Sequence, residues 1–75
     1  MFNYIVTVYD GEREVPLSGV AVGQNVDLTD YECRRIYPQD WQKFKEHFAP
    51  SVFDPEITGF LDAGYEIHIY RKKVI

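Results

Sequence analysis

The residues best suited to chemistry in this 75-residue chain are one cysteine, Cys33, and two histidines, His47 and His68. A cysteine becomes a nucleophile when a base or a helix N-terminus lowers its pKa. Cys33 follows Leu28-Thr29-Asp30-Tyr31-Glu32, which reads as a helix start and would supply such a dipole. The same run puts Cys33 opposite Leu28 in a hydrophobic staple, where a thiol packs as a small hydrophobe. A core or half-core thiol is the expectation. His47 and His68 could form an acid/base or metal pair if the fold brought them together. Neither sits in a ligand spacing such as H-x-x-x-H, so solvated or locally hydrogen-bonded histidines are expected. No glycine-rich phosphate loop, G-x-S-x-G elbow or H-E-x-x-H occurs. The chain therefore offers no set of nucleophile, base and oxyanion donors. The reading is a non-enzyme with no catalytic residue, no metal ligand and no cofactor.

The residue types that favour recognition are better represented. Arg34-Arg35 beside Tyr31 and Tyr37 is an arginine–aromatic cluster of the kind that concentrates binding energy at interfaces. Six tyrosines exceed what a small core needs. Tyr9, Tyr31, Tyr37 and Tyr70 fall on faces that cannot all be buried, and exposed tyrosine gives large contact area at low entropy cost. The plainer reading is that they cover sheet surface. Arg71-Lys72-Lys73 forms a short basic run that reads as solvated. Interface candidates are Asp10, Glu12, Glu14, Tyr31, Arg34, Arg35, Tyr37, Tyr70 and Lys72.

These side chains need elements to hold them. Phe2 to Tyr9 is rich in β-branched and aromatic residues and reads as a strand, apolar enough on both faces to be central. Asp10-Gly11 is a turn signal, and a second strand begins near Arg13. Pro16, Gly19 and Gly23 make the run from Val15 to Val26 an irregular strand at best. Thr29 and Glu32 match a capping box, and Cys33, Ile36 and Tyr37 follow at i, i+3, i+4, so a short helix is expected up to Tyr37. Pro38 stops it and opens a second helix running to Phe48, with Trp41, Phe44 and Phe48 on one stripe. Asp54-Pro55 caps a third helix over 55–63, with Ile57, Phe60 and Leu61 facing the core and Gly64 in the left-handed position that ends it. The competing reading pairs Ile57 to Leu61 with the last strand as a hairpin, since Thr58 and Gly59 are poor helix formers. Tyr65 to Tyr70 alternates most cleanly: Tyr65, Ile67 and Ile69 point inward, and Glu66, His68, Tyr70 and Lys72 point outward. The order β-β-α-α-(α)-β implies an α+β fold, a small antiparallel sheet of about three strands with two or three short helices on one face.

Length and charge bound the function. The chain has room for one domain, residues 1–75. A single cysteine rules out an internal disulfide and fits a reducing, cytoplasmic setting. No signal-peptide pattern and no membrane-length apolar run occur. The net charge is −4, with −5 in residues 1–32 and +1 in residues 33–75. An acidic excess argues against sequence-independent nucleic-acid binding, whose affinity comes from Lys and Arg on phosphates. The expectation is a protein-binding module whose partner is a larger host protein or protein complex. A homodimer or other homo-oligomeric assembly joined by strand edges is the alternative. Nucleic-acid binding through Arg34, Arg35 and Arg71 to Lys73 ranks third. In size, acidity and lack of a catalytic motif the chain resembles accessory proteins of bacteriophages and mobile elements, among them anti-CRISPR and polymerase-inhibiting types. That likeness implies an inhibitor acting in a host cytoplasm; it rests on gross properties and no motif, and it assigns no family.

Overall fold

The computed structural model of the chain describes residues 1–17 and 27–74. Strand β1 spans Phe2–Asp10, β2 Arg13–Val15, β3 Glu32–Ile36 and β4 Glu66–Lys73. They form one antiparallel sheet in the order β2-β1-β4-β3. Between β3 and β4 lie helix α1 (Trp41–Phe44), a 3-10 turn (Pro50–Phe53) and helix α2 (Pro55–Asp62). The α+β class, the antiparallel sheet and the central place of β1 follow the sequence expectation. The strand count does not: the described residues form four strands rather than about three.

The extra strand is β3, which the capping-box pattern had assigned to a helix. Asp27 explains the difference. Its carboxylate accepts from the Thr29 backbone N–H at 2.9 Å and from the Thr29 hydroxyl at 2.5 Å, a local turn that holds Thr29 against the preceding residues. The Tyr31 N–H turns back to the Leu28 carbonyl at 3.0 Å. A chain turned in this way enters β3 extended, and β3 then pairs with β4 from Glu32↔Arg71 to Ile36↔Ile67. Only Ile36 of this strand is buried. The spacing of Cys33, Ile36 and Tyr37 was thus compatible with a helix without being caused by one. The second expected helix shortens to the single turn of α1, with turns on both sides. The expected irregular strand between Val15 and Val26 lies, beyond Leu17, outside the described residues.

Local chemistry explains the remaining turns. Gly11 takes φ +65° in the two-residue loop that joins Asp10 to its partner Arg13. Positive φ is what hairpin turns of this length require. Helix α2 forms as expected: the Asp54 side chain accepts the Ile57 N–H at 2.9 Å, and Pro55 takes the first turn, where no N–H is needed. It ends in a Schellman motif. Gly64 at φ +99° donates to Leu61 at 3.1 Å, Tyr65 donates to Phe60 at 3.0 Å, and the two rings pack edge to face at 5.7 Å. That geometry removes the hairpin alternative for residues 57–61.

Among the described residues the helices lie on one side of the sheet. Val8, Ile36, Ile67 and Ile69 from the strands meet Val52, Ile57 and Leu61 from the 3-10 turn and α2, each at most 4% exposed. Half-buried rings of Tyr4, Trp41, Phe44, Phe48, Phe53, Phe60 and Tyr65 surround this aliphatic centre. Trp41 stacks on Phe53 at 5.9 Å, and Phe48 meets Tyr4 edge to face at 6.3 Å. The helix-stripe residues Trp41, Phe44 and Phe48 thus face the core as expected, although only α1 is helical.

Candidate functional site

Side chains alternate along a strand, so the register assigns each residue to one face. Residues paired across the sheet share a face, and the pairs Val8↔Ile67, Val6↔Ile69 and Ile36↔Ile67 define the helix side. Ile5↔Tyr70, Thr7↔His68, Tyr9↔Glu66, Cys33↔Tyr70 and Arg35↔His68 define the other. Among the described residues no helix packs on that second face. Chains that leave one sheet face without helices usually furnish it with plain polar residues. Here it carries a connected set of aromatic and ionisable groups.

The centre of the set is a stack of Tyr9 on His68, with ring centroids 4.0 Å apart and planes 22° apart. Beside it the Arg35 guanidinium grips Glu66 through Nε at 3.2 Å and Nη2 at 3.1 Å. The same Glu66 carboxylate lies 3.5 Å from His68 Nε2. Burial pushes the His68 pKa below its ordinary value, against the opposing pull of Glu66. His68 is therefore held as neutral imidazole near neutral pH. The hydrogen bond from Arg35 to Glu66 holds the guanidinium even more firmly in its charged form. Tyr70, one residue pair further along, has its pKa pushed up to about 12 by burial and then by Cys33 and Tyr9, which also hydrogen-bond it. At the rim, Lys72 lies 5.9 Å from the Tyr31 ring and 3.8 Å from Asp30, and Arg35 lies 5.5 Å from the Tyr37 ring.

Thr7 occupies the middle of the face. It is 2% exposed, and its hydroxyl has no hydrogen-bond partner among the described residues. Ile5 gives an apolar floor beside Tyr70. The charges balance locally, with Arg35 on Glu66 and Lys72 on Asp30, so the face has no excess of positive charge for a phosphate chain.

Of the sequence candidates, this face and its rim gather Glu14, Tyr31, Arg35, Tyr37, Tyr70 and Lys72. Asp10 and Glu12 stand exposed at the β1–β2 turn at the end of the sheet, where Asp10 faces Arg13 across the ladder. Arg34 is separated from them. Strand alternation sends it to the helix side, where its guanidinium lies over Phe44 at 4.7 Å. The helix expectation had placed Arg34 and Arg35 together; as strand residues they face opposite ways.

Cys33 also departs from expectation. It is exposed on the edge strand, with no core role, because the staple that would have buried it does not form. The two histidines do not meet: His47 lies beside Phe44 at 5.9 Å on the helix side, and His68 is on the opposite face. Nor is His68 solvated, since its side chain is only 16% exposed. From sequence, Tyr9, Glu66 and His68 read as outward-facing or chemically suited residues without counting among the interface candidates, and Thr7 reads only as a residue of the second face of β1. The signal that could have found three of them was the alternation of the last strand together with the non-polar second face of the first.

A second concavity of about 290 Å³ opens on the helix side between β3 and the segment after α1. Arg34, Arg71, His47, Phe44 and Glu32 line it, and Arg71 is already bound to Glu32 at 3.0 Å. Among the described residues no three of His, Cys, Asp and Glu converge as metal ligands, and no helix is long and apolar enough to cross a membrane. Comparison with protein-family models, curated proteins and solved structures returns no match.

Proposed function

We propose that the chain is a non-enzymatic protein-binding module whose contact surface is the sheet face opposite the helices. The observation that carries this reading is the Tyr9–His68–Glu66–Arg35 assembly flanked by Tyr31, Tyr37, Tyr70 and Lys72. Tyrosine and arginine held in place by stacking and ion pairing lose little entropy on docking, which is the property that makes interface anchors. Local charge balance disfavours a nucleic-acid partner, because no block of unpaired Lys and Arg faces outward with the tyrosines. The acidic turn with Asp10 and Glu12 selects a partner surface that is basic at its edge. A larger host protein is the partner that size and acidity imply, with the chain acting as an inhibitor by occupying that surface.

The test compares capture of host proteins by the immobilised chain with capture by Tyr37→Ala, Lys72→Glu and a helix-side control, Lys43→Glu. Tyr37 is 42% exposed, the Lys72 side chain 42% and the Lys43 side chain 76%, so all three variants should fold. The expected result is one partner retained by the unchanged chain and by Lys43→Glu and lost by the other two. Equal capture by all four, or capture of nucleic acid that weakens steeply with salt, would refute the reading.

A further inference from the structure

The sheet order leaves β3 as an edge, with one side bonded to β4 and no strand on the other among the described residues. Such an edge is a template for another strand, and long exposed edges are normally blunted or covered. Four successive residues of β3, Glu32 to Arg35, are exposed, and they carry charges of both signs around a cysteine. We propose that β3 pairs with β3 of a second copy of this chain, antiparallel, with Cys33 on the two-fold axis.

The register follows from charge. An antiparallel edge-to-edge pair has its two-fold axis normal to the sheet, so facing residues lie on the same face and one residue must meet its own copy. Centring on Glu32 sets Glu32 against Glu32. Centring on Arg34 or Arg35 sets guanidinium against guanidinium. Like charges directly opposite destabilise a pair. Centring on Ile36 leaves most of β3 unpaired, because Pro38 has no N–H to continue the edge. Centring on Cys33 meets none of these penalties. It places Glu32 opposite Arg34 of the second copy, twice by symmetry, on the helix side. On the other face it places Tyr31 opposite Arg35.

Arg34 supports this register independently. Its guanidinium has Phe44 beneath it and, among the described residues, no carboxylate partner in its own chain. The proposed pairing gives it Glu32 of the second copy, whose carboxylate would bridge Arg34 and Arg71. The dimer also joins the two Tyr–His–Arg faces side by side on one continuous sheet. The inference stands apart from the docking reading above, because it uses the edge and the helix-side residues of β3.

Directly opposed residues of an antiparallel pair have Cα atoms about 4.5–5.5 Å apart, inside the roughly 4.4–6.8 Å that a disulfide spans. Diamide is therefore the probe: each Cys33 thiol gives up one proton and one electron, the S–S bond forms, and diamide is reduced to its hydrazine. The unchanged chain should sediment as twice its 8.8 kDa mass at high micromolar concentration and be trapped as a covalent dimer by diamide. Arg34→Glu and Glu32→Arg should each weaken the dimer about tenfold or more, since each creates like-charge pairs in this register. Mixing the two variants should restore a heterodimer, because both pairs between positions 32 and 34 are then of opposite charge.

A chain that stays monomeric at these concentrations, or whose diamide trapping is no faster folded than unfolded, overturns the proposal. A dimer that survives Arg34→Glu unchanged overturns the register and with it the proposal. If either variant fails to fold by circular dichroism, the diamide rates of the unchanged chain decide alone. A monomer that still captures a protein lost by Tyr37→Ala overturns the dimer and leaves the docking reading standing.

Discussion

Replacing Thr7 by valine should make this protein more stable. The hydroxyl of Thr7 sits at the centre of the four-stranded sheet, 2% exposed, without a hydrogen-bond partner among the described residues. A buried polar group left unpaired costs about 1–3 kcal/mol of desolvation. Valine has the same branched shape and suits a strand equally well, so it removes the cost without opening a cavity or straining the backbone. The rest of the site stays in place, because Thr7 lies beside His68 in the ladder and no bond between them is broken. We expect a gain of about 1–2 kcal/mol. For a chain of this length that is a rise in Tm of roughly 4–16 °C. In urea the midpoint should move up by about 1 M with an unchanged slope. Thermal and urea melts followed by circular dichroism measure both. Thr7→Ser is the control: it keeps the hydroxyl and loses the methyl, so it should destabilise. If Thr7→Val instead lowers the urea midpoint, the hydroxyl has a partner in the folded protein and the reasoning fails.

Other expectations are simpler. The His68 pKa is lowered in the folded state, so the unfolded chain binds the proton more tightly; stability should be full above about pH 6.5 and fall as pH drops through that value toward the folded pKa. Urea melts from pH 5 to 8 should show this slope, and His68→Gln should flatten it. Asp54→Ala removes the acceptor that caps α2 and should cost about 1 kcal/mol, read from the same melts. Gly64→Ala forces a side chain into a left-handed residue at φ +99° and should lower Tm by several degrees, for roughly 1 kcal/mol or more. Trp41→Ala strips a half-buried ring stacked on Phe53 and should cost about 3 kcal/mol; a neutral melt would show that Trp41 packs only loosely against the core.

Legibility of the fold tracked how local each determinant is. Strand β1, the Gly11 turn, α2 with both of its caps and the alternation of β4 could be read because each depends on residues only a few positions apart. Strand β3 could not. A capping box and a three-four spacing are short-range patterns, and they lost to two facts outside their window: Asp27 takes up Thr29, and β4, over 30 residues later, offers the ladder that Glu32 to Ile36 joins. The candidate site shows the same division. The outward set Glu66, His68, Tyr70 and Lys72 was evident from the period of the last strand. That His68 stacks on Tyr9, that Glu66 holds Arg35, and that Arg34 and Cys33 stand on opposite faces of an open edge all depend on which strand lies beside which.

The sequence by itself determined the α+β class, the Gly11 turn, the two caps of α2, the acidic balance and the surplus of tyrosine. Only the tertiary structure decided which tyrosines meet arginines and which histidine is half-buried, because cross-strand pairing joins residues that no periodicity along the chain connects.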